Sequence, residues 1–404
     1  MMMRFLTAGE SHGPGLTIMV DGFPAGVPVD AAVINHQLKR RQGGYGRGGR
    51  MMIETDTVSF LGGVRQMRST GAPIAMFIEN RDYKNWIPVM DPQGDPNAEN
   101  AQSKRFIRPR PGHADLAGYY KYGHEELRDV LERASARETA ARVAAGGLAR
   151  CLLEALGIQV VGYVAALGST RFPEPDLLHT TPEHITQVCE SNNLRAFTED
   201  EAMLQSVRDT IDATRKAGDT LGGEVVAVVY GCPPGLGSYT QWDRKLDGQL
   251  AQAVMSIQAI KAVAIGEGAI AAETLGSQFH DEIRLIRLNS EAHIYRPTNR
   301  AGGLEGGVTN GAPLVVRANM KPIATLLKAL TSVNLETTQE EQAHFERSDV
   351  TAVPACASIV EAMTSYVVAN AILEKFGTDS LAEIQRNMAN YLTELKPPLQ
   401  LPLG

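Results

Sequence analysis

Strand-like and helix-like segments follow one another along this chain in an irregular order, and that order narrows the choice of fold. Residues 16–20 and the β-branched run over residues 223–231 have the composition of strands. Asp30 stands where it would cap a helix that ends near Gly43. No Gly-rich first turn opens a repeating strand–helix unit, so the sequence predicts an α+β fold rather than a doubly wound sheet.

The clearest helix start is formed by Ser135 and Glu138, whose spacing is that of a capping box. The helix is predicted to run from there until Gly157. Arg133, Ala134 and Ser135 would then lie at its N-terminus, where free N–H groups and the helix dipole favour an anion.

Other elements are predicted along the rest of the chain. Asp243 would cap a helix over residues 246–254, and a helix over residues 358–376 would stop at Gly377. Residues 81–102 are polar and contain three prolines, so they are predicted to form an exposed loop.

The chain of 404 residues has no break in composition that would mark a domain boundary, so residues 1–404 are predicted to form one domain. Its apolar runs, such as residues 225–229, are too short to span a bilayer. The N-terminus lacks the apolar segment of a signal peptide, and the four cysteines form no C-x-x-C pair. We therefore expect a cytoplasmic protein with buried, reduced thiols.

Positive charge is concentrated in two windows of a chain whose net charge is −7. The net charge argues against general binding to nucleic acid or an anionic membrane. Residues 39–50 and 103–113 are nevertheless basic and contain no acidic residue. They indicate either a strongly anionic ligand gripped by arginines or a solvated basic face. The Gly-rich stretch 43–50 fits a loop over a small anion better than an RNA-binding segment.

Two histidines have the surroundings of proton-transfer residues. His12 and His113 each lie in a short glycine-flanked loop beside a carboxylate, although a structural hydrogen bond would explain either one. His179 and His184 have no matching thiol or carboxylate pattern, so no metal site is predicted and both are expected in surface loops.

The C-terminal half contains a further candidate anion site. Pro322 suits the first turn of a helix, and Lys321 and Thr325 could both face a phosphate at its N-terminus, although an ordinary helix entry is the alternative. The Gly-rich residues 299–307 indicate either a close approach to a ligand or a plain turn. The chain has no P-loop and no dinucleotide-binding fingerprint, so any nucleotide cofactor must be held in another way.

Seven motifs together resemble those of the chorismate synthase family, in the family's order and over nearly the whole chain. They cover residues 9–13, 108–115, 132–139, 219–223, 256–261, 299–307 and 347–350. The resemblance implies a β-α-β sandwich with helices packed between antiparallel sheets, and a homotetramer.

The resemblance also implies an activity. Such a lyase removes phosphate from 5-enolpyruvylshikimate-3-phosphate by an anti-1,4-elimination, giving chorismate in the last common step of the shikimate pathway to aromatic amino acids. The reaction requires reduced FMN and causes no net redox change. NADPH or an external flavin reductase would supply the electrons, and the sequence does not decide between them. The anionic substrate and the cofactor phosphate would account for the basic windows.

Roles follow from the positions that match the family's motifs. His12 matches the residue that protonates the departing phosphate, His113 the residue that protonates reduced flavin near N1, and Asp349 a residue that assists flavin N5. Contacts to substrate or NADP are implied for Arg40, Arg41, Arg47 and Arg137. Flavin contacts are implied for Arg133, Ala134, Ser135, Gln258, Ala259, Gly306, Lys321, Pro322, Ile323, Ala324, Thr325 and Arg347.

Two other classes of function compete with this interpretation. A true flavin oxidoreductase would turn over its flavin with a second substrate. A nucleic-acid-binding module would bind with a steep dependence on salt.

Overall fold

Two antiparallel sheets enclose a layer of helices in the computed structural model of this chain. The structure describes residues 3–47, 55–95, 104–288, 291–344, 349–396 and 399. The predicted α+β class, with helices between antiparallel sheets, is confirmed.

The described strands are β1 (Arg4–Ala8), β2 (Gly15–Asp21), β3 (Ser59–Gly62), β4 (Val64–Arg65), β5 (Arg68–Ser69), β6 (Ile74–Glu79), β7 (Gln159–Leu167), β8 (Thr170–Arg171), β9 (Gly223–Tyr230), β10 (Ile260–Ile265), β11 (Arg284–Leu288), β12 (Glu291–Tyr295), β13 (Leu304–Glu305), β14 (Val308–Thr309), β15 (Leu314–Met320), β16 (Thr331–Asn334) and β17 (Gln339–Gln342). The described α-helices are α1 (Ala31–Gln42), α2 (Ile87–Met90), α3 (Asp115–Tyr122), α4 (Arg128–Ala134), α5 (Thr139–Glu154), α6 (Pro182–Glu190), α7 (Glu201–Lys216), α8 (Leu246–Met255), α9 (Gly276–Phe279), α10 (Val353–Phe376) and α11 (Leu381–Glu394). Short 3-10 helices are Arg81–Asn85, Ala136–Glu138, Trp242–Arg244 and Ala271–Glu273.

The first sheet has the strand order β1-β2-β6-β3 and buries one face. Along β2, Leu16, Ile18 and Val20 are buried, whereas Thr17 and Met19 between them are exposed. This period of two is the pattern of a strand with one face against the core. The buried face packs on α5.

The second sheet has the order β10-β15-β9-β7-β8 and is covered on both faces. Val225 and Val229 of β9 belong to the main core with the helices, whereas Val226 and Val228 pack in a second cluster that includes Ile185 of α6. Because both faces of the sheet are buried, the sequence of β9 is a continuous β-branched run rather than an alternation of apolar and polar residues.

Helices α1, α5 and α10 form the middle layer, and α5 and α10 approach closely. A Cβ on Gly146 of α5 would lie 2.5 Å from the Cβ of Ala362 on α10. Glycine therefore sets the spacing of these two helices, and a larger side chain would push them apart.

The helix Val353–Phe376 is the one described element whose length and apolar composition would suffice to cross a membrane. Its most apolar window is 83% buried inside the fold. The burial identifies it as the central core helix, longer than the apolar runs noted in the sequence.

Several local predictions are confirmed. The Asp30 side chain caps α1 by accepting from Ala32 N–H, and β2, β9 and the end of α10 at Gly377 lie where the sequence indicated.

Others are wrong. Residues 81–85 form a 3-10 helix and residues 87–90 form α2, where a loop was predicted. Pro322 starts no helix, because the backbone of residues 321–325, which follow β15, is irregular. Asp243 does not cap α8, because it lies within the preceding 3-10 helix and Lys245 is the N-cap residue. His184 lies on α6 rather than in a loop.

The capping box at Ser135 is formed only in part. The Ser135 side chain accepts from Arg137 N–H at the start of a 3-10 helix that leads into α5. Arg133 and Ala134, however, are the last two residues of α4, so they lie at a helix C-terminus and not at an N-terminus.

Candidate active site

The loop that joins β1 to β2 holds His12 against a buried carboxylate. The His12 backbone N–H donates to Glu132 Oε2 at 2.8 Å, and its ring Nδ1 lies 2.9 Å from both Glu132 oxygens. Ser11 N–H also donates to the Glu132 backbone carbonyl at 3.0 Å. Because Nδ1 faces the carboxylate, Nε2 is the ring atom through which His12 can exchange a proton with a ligand.

Glu132 stays ionised in spite of its burial. Only 2% of the residue is exposed, and burial alone would raise the pKa of its carboxyl group. Hydrogen bonds from His12 and the charge of Arg128 outweigh that effect and lower the pKa. Arg128 NH1 donates to Glu132 Oε1 at 3.2 Å. The anionic carboxylate attracts the proton on Nδ1 and so fixes the tautomer of His12.

Two of the predicted ligand-binding arginines converge on Asp56, which is almost fully buried. Arg137 NH1 donates to both Asp56 oxygens, at 2.6 and 2.8 Å. Arg41 NH1 lies 3.4 Å from Asp56 Oδ2, while its other nitrogens donate to Thr139 Oγ1 at 2.8 Å and to the Ala136 carbonyl at 2.9 Å. Burial lowers the pKa of Arg41 to about 9, although Asp56 opposes this. An anionic ligand here would relieve the cost of the buried charge.

Asn80 links Arg137 to the His12 loop. Its Oδ1 accepts from Arg137 Nε at 3.0 Å and from Arg137 NH2 at 2.7 Å. Its Nδ2 donates to the carbonyls of Gly13 at 2.8 Å, Glu10 at 3.2 Å and Ser11 at 3.4 Å. The orientation of the amide is fixed, because only its NH2 group can donate to carbonyls.

Arg47 forms an ion pair with Asp349, with 2.7 Å between Arg47 NH1 and Asp349 Oδ2. The two loops that carry them are joined by a backbone hydrogen bond of 2.9 Å from Val350 N–H to the Gly46 carbonyl. The charges of Arg47 and Asp349 also act on Arg41, so these residues lie in one electrostatic neighbourhood.

Arg40 is not brought to this neighbourhood by any described contact. It makes a two-bond ion pair with the buried Glu361, at 2.6 and 2.7 Å, and lies 2.9 Å from Glu190. These partners line a separate cavity of about 330 Å³ beside α1 and α6. Successive helix residues point about 100° apart, so Arg40 and Arg41 leave α1 in different directions.

The second predicted histidine lies in a similar arrangement. His113 Nδ1 is 2.5 Å from Asp115 Oδ1. Arg110 donates to Asp115 from its backbone N–H at 3.0 Å, from Nε at 2.8 Å and from NH2 at 3.0 Å. Burial would raise the pKa of Asp115, but the His113 and Arg110 hydrogen bonds hold it well below its usual range. Arg110 NH1 also reaches Thr325 Oγ1 at 3.3 Å.

Lys321 joins this arrangement to the predicted cofactor residues of the central region. Its Nζ donates to the Gly112 carbonyl, and its backbone N–H donates to the Ala259 carbonyl at 2.9 Å. Gln258 Nε2 in turn donates to Glu138 Oε2 at 3.1 Å. The predicted residues at 258–259 are therefore linked through Lys321 to the loop that carries His113.

The same chain of contacts continues to the His12 loop. Thr7 Oγ1 donates to Glu138 Oε1 at 2.9 Å, and Arg133 donates to the Thr7 carbonyl at 2.9 Å and to the Gly9 carbonyl at 3.3 Å. Ser135 Oγ donates to Ser11 Oγ at 3.2 Å. Most predicted site residues are thus joined by one network of contacts.

Several predicted positions have no contact in this network or cannot be compared with it. Gly306 lies in the β13–β14 hairpin, where a Cβ would have Tyr239 alone of the described residues within 4 Å. Ile323 is held by a 2.8 Å hydrogen bond from Thr220 Oγ1 to its carbonyl. Arg347 lies outside the described residues, as does the part of the basic stretch from Gly48 onward.

Six further residues hold the candidates in place: Asp56, Asn80, Trp86, Arg110, Asp115 and Glu132. Asp115 is the carboxylate that the sequence places beside His113. The carboxylate next to His12 in the sequence is Glu10, whereas its partner in the structure is Glu132. Asp56 and Asn80 reach the site only through the tertiary fold. Within the described ranges, no group of three His, Cys, Asp or Glu side chains is suited to a metal ion.

Comparisons with known proteins point in one direction. A family model described as chorismate synthase matches residues 3–373. A chorismate synthase from Symbiobacterium thermophilum is 52% identical over 398 residues, which cover 97% of this chain and 99% of that protein. One from Desulforudis audaxviator is 51% identical and covers 98% of each chain. A crystal structure of a chorismate synthase has a TM-score of 0.77 at 37% identity, covering 98% of this chain and 99% of that one.

Proposed function

Because this chain belongs to the chorismate synthase family of lyases, we propose that it converts 5-enolpyruvylshikimate-3-phosphate into chorismate and inorganic phosphate. In this anti-1,4-elimination the C6–H bond and the C3–O bond to phosphate break, and the ring gains a second C=C bond. The reaction is the last common step of the shikimate pathway. The observation that carries the proposal is the meeting of an arginine cluster and a carboxylate-held histidine at one loop.

The substrate carries two carboxylates and a phosphate, and Arg41, Arg47 and Arg137 provide the positive charge that binds them. Asp56 and Asp349 hold these guanidiniums in place before the substrate arrives. A preorganised guanidinium loses little side-chain entropy on binding, so it contributes more affinity than a mobile one. Arg40 acts through α1 by its bond to Glu361 rather than by contact with the substrate.

His12 donates a proton from Nε2 to the departing phosphate, whose negative charge grows as the C–O bond breaks. Glu132 holds Nδ1 on the other side of the ring and so orients the imidazole for the transfer. A positioned acid of this kind contributes about 10²- to 10⁴-fold to the rate.

The residues around Gln258 and Lys321 fit a flavin with its phosphate. Gln258 Oε1 is buried and has no hydrogen-bond partner among the described residues, so it is available to a donor on a ligand ring. Burial lowers the pKa of Lys321, and nearby Lys261 adds to this effect, so an anion between them would be favoured.

Reduced FMN, when bound, would supply electron density for the departure of phosphate and a base for the C6 proton. His113 would hold a proton for the flavin N1 region, and Asp115 keeps the His113 ring oriented. Asp349 lies by Arg47 and would assist the flavin at N5. Contacts to the flavin are proposed for the candidate residues at 133–135, 258–259 and 321–325, for Gly306, and for Arg347.

We further propose a cytoplasmic homotetramer. The outer face of the first sheet supports self-association, because Leu6 and Leu61 are 68% and 67% exposed there beside Met19. Light scattering after gel filtration measures the mass, and a monomer at micromolar concentration would contradict the proposal. Adding NADPH to oxidised FMN under nitrogen would show whether this chain reduces its own flavin or needs an external reductase.

The decisive experiment is anaerobic turnover of 5-enolpyruvylshikimate-3-phosphate with photoreduced FMN and no nicotinamide. We expect chorismate and phosphate in equal amounts, with many turnovers per flavin. Absence of product from folded, flavin-binding protein would overturn the proposal. Consumption of one reductant per turnover would instead favour the flavin oxidoreductase.

A further inference from the structure

Trp86 lies face to face with His12, in a segment that none of the roles above uses. The two ring centroids are 3.8 Å apart and the ring planes differ by 28°. Trp86 follows the 3-10 helix Arg81–Asn85 and precedes α2. This helical segment therefore delivers an indole ring to the candidate acid.

The indole is itself held firmly. Its Nε1 donates to Asp82 Oδ2 at 2.9 Å, and its backbone N–H donates to the Tyr83 carbonyl at 2.7 Å. The ammonium of Lys104 lies 3.9 Å from the ring centroid, and the Arg128 guanidinium carbon lies 5.5 Å away. Cation–π contacts of this kind stabilise the ring where it stands.

Glu132 and Trp86 restrain His12 in different ways. The carboxylate fixes the position of Nδ1 but allows the imidazole to tilt about that contact. A flat ring at stacking distance restricts the tilt, because a rotation toward the indole would drive imidazole atoms into it. Together the two contacts set both the place and the plane of the imidazole.

We propose that Trp86 is the positioning residue that fixes the imidazole plane of His12 and thereby aims Nε2 at the departing phosphate. The proposal rests on the proposed function for the identity of the proton acceptor. It also has a consequence that does not depend on catalysis: the emission of Trp86 reports the protonation state of His12, since a protonated imidazole in contact with indole quenches its fluorescence.

The chain is suited to this measurement because it has only two tryptophans. The other, Trp242, is 82% exposed on a 3-10 helix outside the site. Trp242→Phe therefore leaves Trp86 as the sole emitter. The charged groups around the stacked pair are Glu132, Arg128, Lys104 and Asp82.

The first experiment follows the emission of the full-length Trp242→Phe protein without added flavin between about pH 5 and 9, the range around the ordinary histidine pKa. We expect one titration with lower emission on the acid side. His12→Phe, which keeps an aromatic ring on the indole, should abolish it. A flat profile, or a titration that survives His12→Phe, would overturn the proposal.

The second experiment compares Trp86→Leu with Trp86→Phe in turnover at saturating substrate and reduced flavin. Leucine fills space without offering a flat face, so we expect kcat to fall about 10- to 100-fold with little change in KM, the cost of a misaimed group. Phenylalanine keeps the stack and should restore kcat to within about threefold of the parent. Equal losses for both variants, or a loss confined to KM, would contradict a positioning role.

The two experiments separate the two proposals. If emission titrates through His12 but no variant makes chorismate, the proposed function fails and the contact stands. If the parent enzyme makes chorismate but Trp86 emission does not follow His12, the positioning role fails and the function stands.

Discussion

The surroundings of His12 and His113 are built on the same plan in two regions of the molecule. In each, the histidine Nδ1 faces a buried carboxylate, Glu132 or Asp115, and that carboxylate also binds an arginine. In each, the carboxylate pKa is lowered even though burial alone would raise it. The shared plan fixes one side of each imidazole ring, although at His113 the Arg110 NH2 group also lies 3.3 Å from Nε2.

The two regions differ in what the arginine does. Arg128 reaches Glu132 by a single hydrogen bond of 3.2 Å, so that carboxylate serves mainly His12. Arg110 instead makes three hydrogen bonds to Asp115 and has NH2 3.0 Å from His113 Nδ1. Asp115 is therefore shared between a histidine and a competing cation.

The difference suggests a division of labour. The His12 region is tied by Asn80 to Arg137 and Asp56, the cluster that we propose binds substrate anions. The His113 region adjoins Lys321, which we propose binds the flavin. One histidine would act on the substrate, and the other on the cofactor.

The largest expected effect is on turnover. His12→Ala and His113→Ala should each lower kcat about 10²- to 10⁴-fold, the contribution of a positioned acid or base. His113→Ala should also lower flavin affinity, measured by anaerobic fluorescence titration, more than His12→Ala does, because His113 is the histidine that we propose acts on the flavin, although the His12 loop contacts Ser135 and Arg133. Near-normal turnover of either folded variant would remove that histidine from the mechanism, and equal effects on flavin affinity would erase the division.

The next effect is on stability and compares the two carboxylates. Asp115→Asn should lower the free energy of unfolding by about 3 to 5 kcal/mol, because it leaves the buried Arg110 without a counter-charge. Glu132→Gln should cost about 1 to 3 kcal/mol, since Arg128 keeps its bonds to the Lys104 carbonyl. Urea unfolding at pH 7 measures both, and a larger loss for Glu132→Gln would reverse the comparison.

Asp115 also makes the free energy of unfolding depend on pH, and the direction of that dependence follows from its lowered pKa. Because the folded pKa of Asp115 lies well below its ordinary value of about 4, its contribution is fully present above that pH and is lost as the pH falls through the folded value. The unfolding free energy should therefore decrease on acidification below about pH 5. Asp115→Asn should flatten that decrease, and an unchanged slope would contradict the paired state of Asp115.

Local patterns predicted the sheets and core helices well. The alternation in β2, the β-branched run of β9 and the Asp30 cap are set by near neighbours in sequence, so periodicity and capping rules suffice. Pro322 was misleading because proline permits a first helical turn but does not enforce one. Glu138 accepts hydrogen bonds from Thr7 across the fold and from Arg142 one turn along α5 instead of completing the capping box.

The site could be predicted as a set of motifs but not as a geometry. Helix periodicity could have separated Arg40 from Arg41, because adjacent residues leave a helix about 100° apart. Asn80 and Asp56 have no local signature, since each gains its partners only when β6 and the segment after α1 meet α5. Trp86 was hidden in a polar, proline-containing segment that was interpreted as a loop.

A smaller effect concerns ligand affinity and tests the same division between substrate-binding and flavin-binding residues. Arg47→Ala should raise KM for the substrate about 10- to 100-fold, the loss of one charged hydrogen-bonded contact, with flavin affinity little changed. Lys321→Ala should weaken flavin binding and leave KM for the substrate little changed. Parallel measurements of substrate KM and flavin Kd on the two variants form a matched pair. Equal losses of both affinities in either variant would show that substrate and cofactor share that side chain.

The smallest effect tests the bridge between the His12 loop and the arginines. Asn80→Asp keeps an oxygen for Arg137 but replaces the donor that faces the Gly13, Glu10 and Ser11 carbonyls. We expect a loss of about 1 kcal/mol in the transition state, a three- to tenfold lower kcat, because the loop loosens while the guanidinium stays. Asn80→Ala, which removes both sides, should lower kcat further and raise KM. If aspartate matches the parent in kcat, the loop contacts of Asn80 contribute nothing and His12 is positioned by Glu132 and Trp86 alone.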